Sequence, residues 1–222
     1  MISPMRTYGQ ACVLAKALDV VGDRWTLLIV RELMIRGACR YTDLQAGLPG
    51  VATNLLADRL TELTDAGLIS REAAPPPVAT ALFRLTRRGA ELEPVIDALG
   101  RWGAPLLATT SSQDVFRSHW LALPVRLYVR DASPSSKPAR VEIRTGGEAI
   151  TLETVGDGSV TTRVGAVANP DARLEGTPTV VLGFLMGTVS LAAARRRGLK
   201  SAGNRAILRR FRRTRPASAR LT

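Results

Sequence analysis

The chain has 222 residues, 45% of them hydrophobic, which excludes a disordered chain and allows one large core or two small ones. No apolar run approaches the ~18 residues of a membrane span, and no charged-then-apolar signal opens the chain, so it reads as a soluble, cytoplasmic protein. The net charge of +12 invites a polyanionic partner, yet residues 1–110 hold 12 Lys+Arg against 11 Asp+Glu, while residues 111–222 hold 19 against 8.

Residues 8–21 read as an amphipathic helix with Val13, Ala17, Leu18 and Val21 on one side, stopped by Gly22. Asp23 is placed to cap a second helix, R-W-T-L-L-I-V-R-E-L-M-I-R, which Gly37 closes. Trp25, Leu27, Leu28, Ile29 and Leu33 make it the central core helix, with Trp25 as packing.

From Arg40 to Thr86 the order is short helix, tight turn, longer helix, strand, loop, strand, which is a winged helix-turn-helix. Thr42 opens a T-D-L-Q capping box, so the short helix is expected to start near Asp43. Leu48-Pro49-Gly50 ends it, because a residue before proline is pushed out of helical angles. The longer helix opens near Thr53; Leu56, Leu60 and Leu63 form its buried stripe, and Gly67 with Leu68 makes a left-handed stop. Its opposite arc carries Thr53, Asn54, Ala57, Asp58 and Thr61, all short. That arc reads as a solvated face or as a surface for the major groove, where Asn54 suits adenine, Thr53 a phosphate or thymine methyl, and Asp58 a cytosine amine. Arg59 on the rim suits phosphate. Arg40, Thr42, Arg84 and Arg87 complete the candidate DNA-contact set. The wing strands span Ile69 to Ala73 and Leu82 to Thr86, joined by a proline-rich loop with nothing basic between Arg71 and Arg84, so its tip is expected to touch DNA weakly.

Arg88 to Leu107 reads as one helix carrying Leu92, Val95, Ile96, Leu99, Trp102 and Leu106. That stripe is long for a small domain. With the unclaimed side of the first helix, it points to a homodimer, which would present two reading helices to a palindrome.

The segments C-V-L-A-K-A-L-D-V-V-G-D-R-W-T-L-L-I-V-R-E-L, R-Y-T-D-L, L-A-D-R-L-T-E-L-T-D-A-G-L-I-S-R and F-R-L-T-R-R-G resemble the HxlR family of bacterial transcriptional regulators, relatives of the MarR winged-helix proteins. The resemblance covers Gly9 to Gly103 and implies a homodimer on inverted repeats near promoters. Some members of that family sense oxidants or electrophiles with a cysteine at the place of Cys12. Here only Lys16 stands close enough to lower its pKa, so the thiol reads as buried and structural, with sensing as the alternative. Two departures are Ala52, where relatives place a capping Ser, and the altered wing.

Thr109-Thr110-Ser111-Ser112 reads as a linker between residues 1–108 and 109–222. Beyond it, Asp114 to Leu123 is expected to be a helix holding the only histidine, His119. Strands alternate in V-E-I-R-T, A-I-T-L-E-T and S-V-T-T-R-V-G-A-V, with G-G and G-D-G turns between them. Thr177-Pro178 opens a helix through Met186, Ser190 to Arg197 forms another, Leu199-Lys200-Ser201 is extended, and Ala206 to Phe211 is a basic helix. The fold class is α+β throughout, with an antiparallel sheet in the second domain. Residues 139–213 resemble the sterol-carrier-protein-2-like fold, which implies helices over an apolar tunnel. Val181, Leu182, Phe184, Leu185 and Met186 then line a pocket for a small hydrophobic effector or, alternatively, fill the core. The tail R-R-F-R-R-T-R reads as a solvated end.

Together these readings predict a transcription factor, in the first instance a repressor, with double-stranded DNA as partner. The alternative is a lipid carrier that uses its N-terminal half only to dimerise. One histidine, no phosphate-cradling loop and two cysteines without metal spacing argue against an enzyme, a cofactor or a bound metal.

Overall fold

The computed structural model describes residues 7–74, 80–109, 111 and 113–213, and the chain divides into two compact units, Met1–Ile96 and Asp97–Thr222. In the first unit the order is α1 (Val13–Val21), α2 (Thr26–Arg36), β1 (Cys39–Arg40), α3 (Tyr41–Gly47), α4 (Thr53–Asp65), β2 (Ile69–Ala73), β3 (Ala81–Leu85) and α5 (Arg87–Ala90). α6 (Glu93–Gly103) begins in this unit and ends in the next.

A winged helix-turn-helix is present as read, with three corrections at helix starts. α1 begins five residues later than expected. Asp19 captures the preceding segment instead, its carboxylate accepting from the Tyr8 amide at 2.8 Å and the Thr7 hydroxyl at 3.0 Å. Asp23 does not cap α2, which starts at Thr26; its carboxylate pairs with Arg59. α3 starts two residues before the expected place, because the Arg40 amide donates to Asp43 Oδ2 at 2.9 Å and fixes the first turn around Arg40 rather than Thr42.

The wing is a three-stranded antiparallel sheet in the order β1-β3-β2. Two-residue β1 escapes a sequence reading because Cys39 and Arg40 carry no alternation to detect. The expected proline loop at 75–79 lies outside the described residues. At the other end of α4 the stop is as read: Gly67 takes φ +68°, the Leu68 amide donates to Leu63 O and that of Gly67 to Thr64 O, both at 2.9 Å.

The expected single helix from Arg88 to Leu107 is broken in two. Thr86 caps α5, its hydroxyl accepting from the Gly89 amide, and α6 restarts so that Pro94 falls in its first turn, where the missing N–H costs nothing. Leu28 is another correction. It is exposed, and the core face of α2 is Thr26, Ile29, Val30, Glu32 and Leu33.

In the second unit, 3₁₀ turns at Ala104–Thr109 and Ser118–Leu121 precede α7 (Ala122–Tyr128) and β4 (Val129–Asp131). The helix expected over 114–123 is therefore shorter and later, and His119 is buried in the second turn. Then come β5 (Arg140–Arg144), β6 (Ile150–Thr154), β7 (Val160–Val164), β8 (Ala172–Glu175), α8 (Pro178–Leu185), α9 (Leu191–Arg196), β9 (Lys200–Gly203), α10 (Arg205–Arg210) and β10 (Phe211–Arg213). The sheet order is β7-β6-β5-β8-β9, and β5 with β8 is a parallel pair, so the sheet is mixed rather than antiparallel throughout. One face, with Val141, Ile143, Ile150, Leu152 and Leu174, packs under Val125, Val181, Phe184 and Leu185.

The tail is a further correction. Arg210 is buried and clamps Asp131 through two bonds, Nε to Oδ1 at 2.6 Å and Nη2 to Oδ2 at 2.7 Å, while Nη1 donates to Lys137 O at 2.6 Å. β10 pairs with β4, and Arg213 lies over the Phe184 ring at 4.3 Å. Residues 214–222 lie outside the described residues.

Candidate nucleic-acid interface

α4 is oriented by its own two faces. Leu56, Leu60 and Leu63 are buried in the first unit's core with Ile29, Leu33 and Leu44, which at about 1.5–3 kcal/mol per side chain fixes the helix's rotation. That rotation leaves Thr53, Asn54, Ala57, Asp58 and Thr61 exposed. Among the described residues the Asn54 amide and the Asp58 carboxylate make no hydrogen bond or ion pair, so both are free to meet a partner. The Thr61 hydroxyl turns back to Ala57 O at 3.1 Å.

Two side chains of α3 hold the first residue of α4. Tyr41 Oη donates to Thr53 O at 2.7 Å, and Gln45 Nε2 donates to Thr53 Oγ1 at 3.0 Å. The Thr53 hydroxyl is thus already engaged as an acceptor and keeps its proton to donate. Ala52 sits at the N-cap with no side-chain bond, as the sequence departure implied. Tyr41 and Gln45 were missed by sequence reasoning, since residues 12 and 8 positions away from Thr53 share no helical period with it.

Glu32 was missed as well. It is fully buried, 2.7 Å from Arg31 Nη2 and 3.5 Å from Arg36 Nε, and it closes on Gly47, where a Cβ would collide with its carboxylate. This links α2 to the end of α3. A signal was present: an acid that shares the helical face of Ile29 and Leu33 must be paired.

The basic candidates divide. Arg59 is only 19% exposed in its side chain and is held by Asp23 and, at 2.5 Å, by Glu62, so it is a paired cation rather than a free one. Arg84 is paired loosely with Glu72 at 3.5 Å, both half exposed, an interaction of small net value. Arg40, Thr42 and Arg87 are exposed.

Cys12 overturns its reading. It is exposed, directly before α1, and the backbone amides of Ala15 and then Leu14 hold its thiol below the ordinary range, while burial pushes Cys39 up to about 11. In the second unit Val181, Phe184, Leu185 and Met186 are core residues, with Leu182 partly buried against them. The cavity beside Phe184 and Leu185 has about 10 Å³ of room, one water's worth.

Residues 20–111 match the HxlR-like helix-turn-helix family. YvaP of Bacillus subtilis, an uncharacterized HTH-type transcriptional regulator, is 32% identical over 87 residues, 39% of this chain and 80% of that protein. The chain belongs to the HxlR-like helix-turn-helix family. A second HTH-type regulator, from Synechocystis, is 32% identical over 105 residues, 47% of this chain and 77% of the relative. The reduced form of the transcriptional regulator YodB from B. subtilis is similar at 25% identity and a TM-score of 0.40, across 46% of this chain and 100% of that one. These family matches speak for the N-terminal part. Among the described residues no helix is long and apolar enough to cross a membrane.

Proposed function

We propose that this HxlR-family protein binds double-stranded DNA as a homodimer and lays the outer arc of α4 in the major groove of each half of an inverted repeat. The observation that carries the reading is the free, exposed Asn54 amide on a helix whose opposite face is locked into the core. Asparagine offers the donor and acceptor pair that adenine presents in the major groove. The dimer reading is supported by apolar side chains left in water: Val13, Leu14 and Leu18 on α1, with Val13 91% exposed, and Val95, Leu99 and Trp102 on α6, with Trp102 75% exposed. Repression is the regulatory sense we assign, since occupancy of a promoter requires no further contact.

For residues 109–222 we propose the sterol-carrier-protein-2-like fold, supported by a run of strands followed by helices. The test of function is selection from a pool of random duplexes. A two-fold symmetric site with half-sites about 10 base pairs apart is the expected product. A protein that enriches no sequence, or enriches only a single half-site while remaining monomeric, contradicts the reading.

A further inference from the structure

The second unit carries more positive charge than its own structure uses. After Glu175 the sequence has no acidic residue, and it holds 11 Lys+Arg from Arg195 to the end. Two of these arginines have structural work, Arg210 in the Asp131 clamp and Arg213 over Phe184. Lys200 stands 3.9 Å from Glu175, and Arg195 reaches the Ser201 hydroxyl.

Arg196, Arg197, Arg205, Arg209 and Arg212 are exposed and have no ion-pair partner among the described residues. Their placement adds mutual repulsion. Arg195, Arg196 and Arg197 are consecutive at the end of α9. Arg205 and Arg209 are one turn apart on α10, the spacing at which like charges oppose a helix. Arg212 lies directly across the β10–β4 ladder from Arg130, the arrangement that destabilises a strand pair.

Some of this charge has an internal use: arginines in a last helical turn complement the helix dipole, and charge on edge strand β9 discourages sheet-to-sheet pairing. Neither use requires Arg205 at the start of α10, where a cation opposes the dipole, nor Arg212 facing Arg130. The register of β9, Lys200 opposite Glu175 and Gly203 opposite Ala172, sets the end of α9 and the start of α10 at opposite ends of a strand about 13 Å long. That is a span along which several phosphates of a nucleic-acid strand recur.

Set against this, the unit that carries α4 is close to neutral, residues 1–96 holding 11 Lys+Arg against 10 Asp+Glu, and Arg59 there is already paired. Affinity for DNA at physiological salt needs phosphate contacts that release counterions. We infer that the arginines of α9, α10 and β10 form a sequence-independent contact surface for the DNA phosphate backbone, which supplies the salt-dependent affinity that α4 lacks. This rests on the DNA-binding reading above, and the experiment separates the two.

The full-length protein and a variant with Arg196, Arg197, Arg205, Arg209 and Arg212 all changed to Gln are titrated with a selected site and with a random duplex, from about 50 to about 300 mM salt, a range over which the Debye length shortens markedly. The slope of log affinity against log salt is expected to fall by about 0.9 for each phosphate no longer neutralised, up to about 4.5 in all, with affinity for both duplexes down at least about tenfold. The ratio between the two duplexes stays as in the wild type. The five-fold Arg→Lys counterpart keeps the slope. Should the glutamine set fold poorly, Arg205→Gln and Arg209→Gln singly are expected to remove about one unit each.

An unchanged slope in variants that still bind overturns the inference while leaving α4 as the reader. Binding with no sequence preference that the glutamine set abolishes sustains the inference and removes the regulator reading. Loss of binding to phosphatidylserine vesicles with an unchanged DNA slope overturns it in favour of a lipid surface.

Discussion

α4 and the α9–α10 region are built on opposite plans. The outward arc of α4 has one amide, one carboxylate and two hydroxyls, and its single arginine is held by Asp23 and Glu62. The α9–α10 region has exposed arginines and no carboxylate of its own. A face of short polar groups without a free cation discriminates by whether hydrogen-bond patterns match, and a cationic one attracts any polyanion. The contrast teaches that the net charge of +12 says little about where specificity resides.

The largest effect that sharpens this contrast belongs to the second unit. Arg210→Ala leaves the buried Asp131 carboxylate without its partner and is expected to cost about 3–5 kcal/mol in urea unfolding of that unit. The bond from Arg210, against the opposing push of burial, holds the Asp131 carboxyl below the usual range. A depressed carboxyl gives stability that is complete above its ordinary value of about 3.9 and lost as pH falls through its lower folded value. In Arg210→Ala the push of burial is unopposed and raises the Asp131 carboxyl, so the gap between wild type and variant should be largest near neutrality and narrow as pH falls, beginning above about pH 3.9. A gap that widens in acid contradicts the clamp.

Next is Glu32→Ala in the first unit, expected to cost about 3 kcal/mol by removing the two charge-assisted hydrogen bonds from Arg31. It should also loosen α3 against α2 and so weaken binding to specific and random DNA alike. Chemical unfolding with stability unchanged would show that the carboxylate does not tie the two helices. The smallest is a gain: Ala52→Ser restores a side-chain cap for α4 and should add about 1 kcal/mol to first-unit stability without altering which sequence is bound.

Much of this is legible in the chain. The Leu56, Leu60, Leu63 stripe gives both the buried face of α4 and, by subtraction, the outward arc, and Gly67 gives its end. Strands 140–144, 150–154 and 160–164 follow from alternation broken by glycine turns. What stays hidden depends on partners distant in sequence. Asp23 looks like a cap because caps are local, but its carboxylate pairs with a residue 36 positions on. Arg210 looks like one more cation in a basic tail, and only the fold brings it to Asp131, 79 positions away. For Cys12 the sequence displays only side-chain neighbours, whereas backbone amides lower its pKa. β8 carries too few residues to alternate convincingly, and its parallel partner β5 lies beyond an intervening hairpin.

The central claim is that short polar side chains on α4 read bases. Its most direct test is the affinity of Asn54→Ala for the selected site and for a random duplex at one fixed salt concentration. The account predicts a loss of about 1–3 kcal/mol on the selected site and almost none on the random one. Equal losses on both, or no loss on either, would contradict it.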